Sequence, residues 1–207
     1  LASLFLQVGR ETGVDPFILA AVAHVESRFG SALKPDLTGD CEPRTWYTQG
    51  VPVQNTGWTS LKPKYFGKPL FAPANATLGN APNPLQLHGS LTSGCWGLGL
   101  MQIDYNQRWS WVSANNWRDP LTNIRKGASI LQENLKALQA KNVTGELLIR
   151  GTIAAYNTGI GNVLKSISIG RDVDATTAGG VFGNHDYSRR VLSAQNDFVA
   201  KFRALPA

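Results

Sequence analysis

The residue best suited to acid–base chemistry is Glu26, which stands near the end of an apolar stretch, DPFILAAVAHVESRFG. At helical spacing it shares a face with Leu19, Val22 and Ala23, one and two turns earlier. Apolar neighbours and the negative end of the helix dipole both disfavour the charged carboxylate, so we expect a raised pKa. A carboxyl that stays protonated near neutral pH can act as a general acid. Taken by itself, the same pattern fits a solvated surface glutamate.

A second segment with chemical potential is GLGLMQID, which runs from Gly97 to Asp104. Its glycines, Gly97 and Gly99, allow a sharp turn or a close approach of the backbone to a ligand. Gln102 offers an amide and Asp104 a carboxylate. Met101 is equally suited to filling a core, and the whole segment can be read as a tight turn into a buried element.

A third segment, AAYNTGIGNV, begins at Ala154 and contains Tyr156 and Asn157. Read by itself, it is a helix end with an asparagine in its cap. Its interest comes from its order along the chain, after the two segments that contain Glu26 and Gln102.

Helices are expected to position these segments, which predicts a mainly α fold. Asp15-Pro16 and Asp119-Pro120 each pair an N-cap with a residue that suits the first helical position. Gly30 is expected to end the helix that carries Glu26. Further helices are predicted from about Ser3 to Arg10, from about Gly145 to Tyr156 and from Asp186 onward. On the helix from Gly145, the inward positions are predicted to be Leu148, Ile149, Ile153 and Tyr156. On the last helix, one shared face is predicted to contain Tyr187, Val191, Ala194, Phe198 and Phe202.

Between about residues 31 and 94 the helical period is lost among Pro, Gly, Asn and Thr. This stretch is too aromatic for a disordered segment, so we interpret it as a long, ordered, irregular insertion in one domain that covers 1–207. Cys41 and Cys95 flank most of it, and a disulfide between them would stabilise the chain by roughly 4 kcal/mol on the chain-entropy model. Two separate thiols are the alternative.

Taken together, HVESRFG, GLGLMQID and AAYNTGIGNV resemble glycoside hydrolase family 23 in order and spacing. That family contains goose-type lysozymes, lytic transglycosylases and some chitinases. NIRKGASILQENLKAL resembles the family's long helix after the glycine-rich turn, and DYSRRVLSAQNDFVAKF resembles the closing helix of goose-type lysozymes. The resemblance implies a lysozyme-like, goose-type helical domain with a cleft for several sugars.

The resemblance also implies roles for single residues. Glu26 matches the family's general acid, and Tyr156 and Asn157 match residues that line the cleft near the scissile sugar. Met101 and Gln102 match the turn that floors the cleft. These four are therefore predicted to bind substrate around the acid.

Asp104 matches the aspartate that follows this turn in goose-type lysozymes, where lytic transglycosylases usually have none. We therefore interpret it as the residue that positions or activates water. A second aspartate of goose-type lysozymes falls at Ser93 here, so Asp104 would act without it. Asp40 and Glu42 in the insertion are possible substitutes.

The resemblance predicts an endo-acting, inverting hydrolase of β-1,4-linked N-acetylated amino sugars, with peptidoglycan as the first expected substrate. A chitinase of the same family is the first alternative, and a lytic transglycosylase is the second. A catalytically silent sugar-binding module is a different class, which the retention of Glu26, Gln102, Tyr156 and Asn157 disfavours.

The composition agrees with a secreted enzyme that acts on an acidic wall. The formal net charge is +6, but the basic residues are scattered and lack the pattern of a nucleic-acid-binding helix. No apolar run is long enough to cross a bilayer. Since carboxyls and water suffice for the reaction, no metal or organic cofactor is expected. We expect a monomer whose signal peptide has been removed; a module cut from a longer protein is the alternative.

Overall fold

A computed structural model of the chain describes residues 1–29, 97–104, 107–117, 119–176 and 185–204. These residues are mainly helical, which confirms the predicted fold class. The predicted insertion and both cysteines lie outside the described residues, so the disulfide stays a prediction. The described elements are, in chain order, α1 (Ala2–Thr12), α2 (Pro16–Ser27), β1 (Gly97–Leu98), β2 (Ile103–Asp104), α3 (Trp109–Ala114), α4 (Pro120–Gln139), α5 (Gly145–Thr158), α6 (Ile160–Ser168) and α7 (Tyr187–Arg203).

The chain divides into two compact units. The terminal unit comprises Leu1–Val25 and Arg125–Ala207, and the central unit comprises Glu26–Ile124. The boundaries fall inside α2 and α4, so the last two residues of α2 and the first turn of α4 belong to the central unit. The single domain predicted over 1–207 stays a prediction.

Two helices begin as their sequences predict. The Asp15 carboxylate accepts a hydrogen bond from the Phe17 N–H at 2.8 Å, and the Asp119 carboxylate accepts one from the Thr122 N–H at 2.7 Å. These bonds satisfy N–H groups that have no partner within the first helical turn. In each case proline occupies the first helical position, where its missing N–H costs nothing.

Helix α2 is apolar over most of its circumference, as expected of a buried helix. Leu19, Ala21, Val22 and Ala23 have no exposed surface, so the apolar surroundings predicted for the Glu26 helix are present. The helix ends at Ser27 rather than at Gly30, which corrects the predicted boundary.

Arg28 and Phe29 follow α2 in the left-handed region, with φ of 50° and 56°. Because a Cβ disfavours this region, two consecutive residues other than glycine hold a conformation that costs about 1 kcal/mol or more each. The chain therefore leaves the helix, two residues after the predicted acid, in a conformation that glycine usually adopts.

One predicted inward position was wrong, because Ile149 on α5 is 50% exposed. Phe202 on α7 is 53% exposed, and its ring packs edge-on against Phe17 with 5.5 Å between the ring centroids. The other predicted positions on α5 and α7 are buried or half-buried. A core cluster of the terminal unit is formed by Leu138, Val143, Ala154, Ala155, Val163 and Val173. Helices α3 and α6 were not predicted, because each is short and follows directly on a turn.

A charged network joins three segments of the terminal unit. Arg150 on α5 donates to the Asp172 carboxylate at 2.6 Å and to that of Asp174 at 3.3 Å. The Ser188 hydroxyl and N–H, at the start of α7, donate to the two oxygens of Asp174 at 2.6 and 3.0 Å. Arg189 donates to Asp172 at 2.8 Å. Since Asp174 is only 1% exposed, this network satisfies a charge that would otherwise be buried without a partner.

Among the described residues, no helix is both long and apolar enough to span a membrane.

Candidate active site

The end of α2 is bonded to the glycine-rich segment. Glu26 is the penultimate residue of the helix and its side chain is half-buried. The next residue, Ser27, has no exposed surface, and its hydroxyl donates to the Leu100 carbonyl at 2.8 Å. This bond joins residues 73 positions apart in the sequence. It places the candidate acid beside the segment that carries Gln102 and Asp104.

The glycine-rich segment folds as a short antiparallel hairpin. Gly97 pairs with Asp104 and Leu98 with Ile103. Gly99 and Gln102 have positive φ, of 71° and 46°, which reverses the chain between the strands. The tight turn predicted from the two glycines is therefore present.

Polar and apolar side chains alternate along the second half of the hairpin. Met101 and Ile103 have no exposed surface, whereas Gln102 and Asp104 are half-buried. Burial of Met101 fits the core role that the sequence also allowed. Gln102 closes the turn, because its side-chain amide donates to the Gly99 carbonyl at 2.9 Å and its N–H approaches the same oxygen at 3.1 Å.

A buried asparagine, Asn123 in the first turn of α4, is hydrogen-bonded to the turn of the hairpin. Its side-chain oxygen accepts the Met101 N–H at 2.8 Å, and its side-chain nitrogen donates to the Trp117 carbonyl at 2.9 Å. A Cβ on Gly99 would lie 2.3 Å from that nitrogen, closer than packing permits. Glycine is thus needed at 99 for two reasons, the positive φ and the asparagine packed against it.

Asp104 stands where the hairpin leads into α3. One oxygen of its carboxylate accepts the Gln107 N–H at 2.8 Å, and its carbonyl accepts the Arg108 N–H at 3.0 Å. Such bonds form a local turn and fix the direction of the carboxylate. Asp104 therefore has a structural task, whether or not it also holds a water molecule.

Tyr156 and Asn157 lie in the last turn of α5, in the terminal unit. Tyr156 is half-buried and Asn157 is exposed. The helix ends at Thr158, and Gly159 follows with φ 85° and ψ 146°, a conformation open essentially to glycine only. The helix end predicted from Asn157-Thr158-Gly159 is confirmed.

The structure thus brings four of the predicted site residues into one unit, namely Glu26, Met101, Gln102 and Asp104, while Tyr156 and Asn157 belong to the other. Sequence reasoning missed Asn123. A signal was present, because Asn123 precedes the buried Gly127 by one turn and Ile130 by two. Among the described residues, no group of three or more His, Cys, Asp or Glu could hold a metal ion.

Comparison with known families agrees with this geometry. Residues 83–177 match the family model of the transglycosylase SLT domain. The match spans the hairpin, α4 and the Tyr156-Asn157 helix end, and it begins well after Glu26. The match covers less than half of the chain, and it supports a lysozyme-like helical domain with an enzymatic activity on peptidoglycan. The search of curated proteins found no match to this chain.

Proposed function

We propose that this chain is a muramidase of goose-type lysozyme character, which cleaves β-1,4 bonds of peptidoglycan by inverting hydrolysis with Glu26 as general acid. The observation that carries the proposal is the Ser27–Leu100 hydrogen bond, which fixes the residue after Glu26 against the hairpin. Glu26 lies outside the residues matched to the transglycosylase family, so its assignment rests on this proximity and on the motif it occupies.

In the proposed reaction, the Glu26 carboxyl donates its proton to the glycosidic oxygen as the bond to the anomeric carbon breaks. A water molecule on the opposite face of the sugar forms the new bond, and the Asp104 carboxylate accepts the proton that water releases. Gln102, Met101, Tyr156 and Asn157 are proposed to line the sugar site. The product would be the α-anomer.

Lytic transglycosylation is a second candidate that two observations favour. The matching family is named for it, and the Asp104 carboxylate is engaged by the Gln107 N–H, a local task that would by itself account for an aspartate there. In that reaction the muramyl 6-hydroxyl attacks the anomeric carbon, and its proton returns to the Glu26 carboxylate. A 1,6-anhydro sugar forms and no water is consumed.

Digestion of purified bacterial sacculi in heavy-oxygen water separates the two candidates. Hydrolysis gives reducing ends that carry one heavy oxygen, and proton NMR of the first product detects the α-anomer. Products lighter by one water, without the label, would replace hydrolysis by transglycosylation. A parallel assay on a soluble chitin oligomer tests the third possibility, since faster cleavage of chitin than of sacculi would move the proposal to a chitinase.

We also propose that the protein is secreted and acts as a monomer, as a wall-degrading enzyme with a net charge of +6 would be expected to do. Light scattering of the purified protein tests the oligomeric state.

A further inference from the structure

We propose that Asn123 is a positioning residue for the reaction. Its side chain fixes the position and orientation of the turn that carries Gln102 and leads to Asp104. The inference rests on the proposed function, because it concerns the same hairpin. Asn123 is 1% exposed, so it acts through the turn rather than by touching substrate.

The bonding pattern suits an amide at this position. Met101 presents a backbone N–H, which only donates, and Trp117 presents a carbonyl, which only accepts. The Asn123 carboxamide meets both, because it accepts on its oxygen and donates from its nitrogen. These two bonds orient the amide.

The hydrogen bond from the Met101 N–H to Asn123 lies at the centre of the turn. Met101 lies between Gly99, where an added Cβ would meet the Asn123 amide, and Gln102, whose side chain closes the turn on the Gly99 carbonyl. The Ser27 hydroxyl donates to the carbonyl of the adjacent Leu100. Two consecutive residues of the turn, Leu100 and Met101, are thus each fixed by a buried side chain, one from the acid's helix and one from α4. Loss of either bond would let the turn move relative to Glu26.

The test compares Asn123→Ala with Asn134→Ala. Asn134 is a matched control: it lies on the same helix, is 6% exposed, and donates to the Thr152 carbonyl in the terminal unit. Both variants lose a buried amide. Only Asn123→Ala is expected to lower kcat on soluble peptidoglycan glycan strands, by about 100-fold, the loss typical of a displaced catalytic constellation, with a smaller change in KM. Asn134→Ala should stay within about twofold of wild type because it leaves that constellation in place.

Two readouts keep the test valid if Asn123→Ala folds poorly. Hydrogen exchange at the Met101 amide reports the hold on the turn without substrate, and it should be faster in Asn123→Ala than in Asn134→Ala. Asn123→Asp keeps the acceptor for Met101 but can donate to the Trp117 carbonyl only when protonated. Its activity relative to wild type should therefore rise as the pH is lowered.

Equal kcat in the two alanine variants, unchanged exchange at Met101, or a pH-independent activity ratio for Asn123→Asp would each overturn the positioning role while the proposed function stands. A wild-type protein that releases no product from sacculi would instead overturn the proposed function, and this inference with it.

Discussion

The two units contain polar networks of opposite character, one uncharged and one charged. In the central unit, the side chains that fix the hairpin, Ser27 and Asn123, are uncharged. In the terminal unit, the network around Arg150 consists largely of charged groups, with Asp172 and Asp174 as its acceptors. Neutral amides and hydroxyls do not titrate, so the support of a general acid keeps its geometry over the pH range in which that acid must exchange its proton. Charged networks hold segments together more strongly but respond to pH.

The largest expected effect comes from replacing Glu26, the proposed acid beside the uncharged network of Ser27 and Asn123. Glu26→Gln is nearly isosteric but cannot deliver a proton, so product release from sacculi should fall by about 100-fold or more, with the unfolding midpoint unchanged. Glu146→Gln is the control, since Glu146 is exposed in the first turn of α5. A Glu26→Gln enzyme that keeps more than about a tenth of the wild-type rate would remove Glu26 as the acid, because general acid catalysis contributes more than that.

The charged network should affect stability instead of chemistry. Asp174→Ala removes the buried acceptor of Arg150 and Ser188, and we expect a loss of about 3 kcal/mol in the free energy of unfolding, measured in urea. At temperatures where the variant is folded, its rate on sacculi should equal that of wild type. A stable Asp174→Ala variant with low activity would contradict the claim that the charged network affects stability and not the reaction.

Asp104 tests whether the central unit also contains a catalytic charge. If the carboxylate activates water, Asp104→Asn should lower the rate by about tenfold or more, though less than Glu26→Gln, because nearby polar groups still orient water. The amide oxygen can still accept the Gln107 N–H, so the turn itself should persist. An unchanged rate would leave Asp104 with its structural task only and would direct attention to Asp40 and Glu42.

The smallest effect on stability is expected at the exposed ion pair between Glu11 and Arg125 in the terminal unit. Hydrogen bonds from Arg125 and Gln7 lower the pKa of Glu11 from 4.5 to about 2. A depressed folded-state pKa contributes stability above the unfolded value, and this contribution is lost as the pH falls from about 4.5 to about 2. Glu11→Gln should remove that part of the acid sensitivity, and high salt should do the same, because exposed pairs are screened.

Asp172 contributes to acid sensitivity in the same direction. Burial alone would raise the pKa of Asp172, but hydrogen bonds from Arg150 and the Asp174 N–H, with the charge of Arg189, lower it below 3.8. Its stabilisation is therefore present above that value and lost at lower pH. Urea unfolding of Glu11→Gln across this range separates the two contributions, because the part of the acid sensitivity that persists in this variant does not come from Glu11.

The features that sequence could predict are those set by neighbouring residues. Asp15 and Asp119 cap their helices within three positions, and Gly99 reverses the hairpin through its own φ. What could not be predicted depends on partners distant in the chain. Ser27 bonds to Leu100, and Asn123 bonds to Met101, and no local pattern specifies either pairing. The end of α2 belongs with these, because the left-handed residues that follow it are Arg28 and Phe29, at which no local pattern predicts that conformation.

The close packing of Gly99 against Asn123 constrains how this domain could be redesigned. A mutant library that varies the hairpin to change sugar preference would lose most members with a side chain at 99, and most of those without an amide at 123. Useful diversity is therefore confined to positions such as Asp104, which is half-buried and where a new side chain need not displace the α4 amide. Evolution toward a new polymer would meet the same restriction, so divergence in specificity should accumulate around an unchanged glycine–asparagine pair.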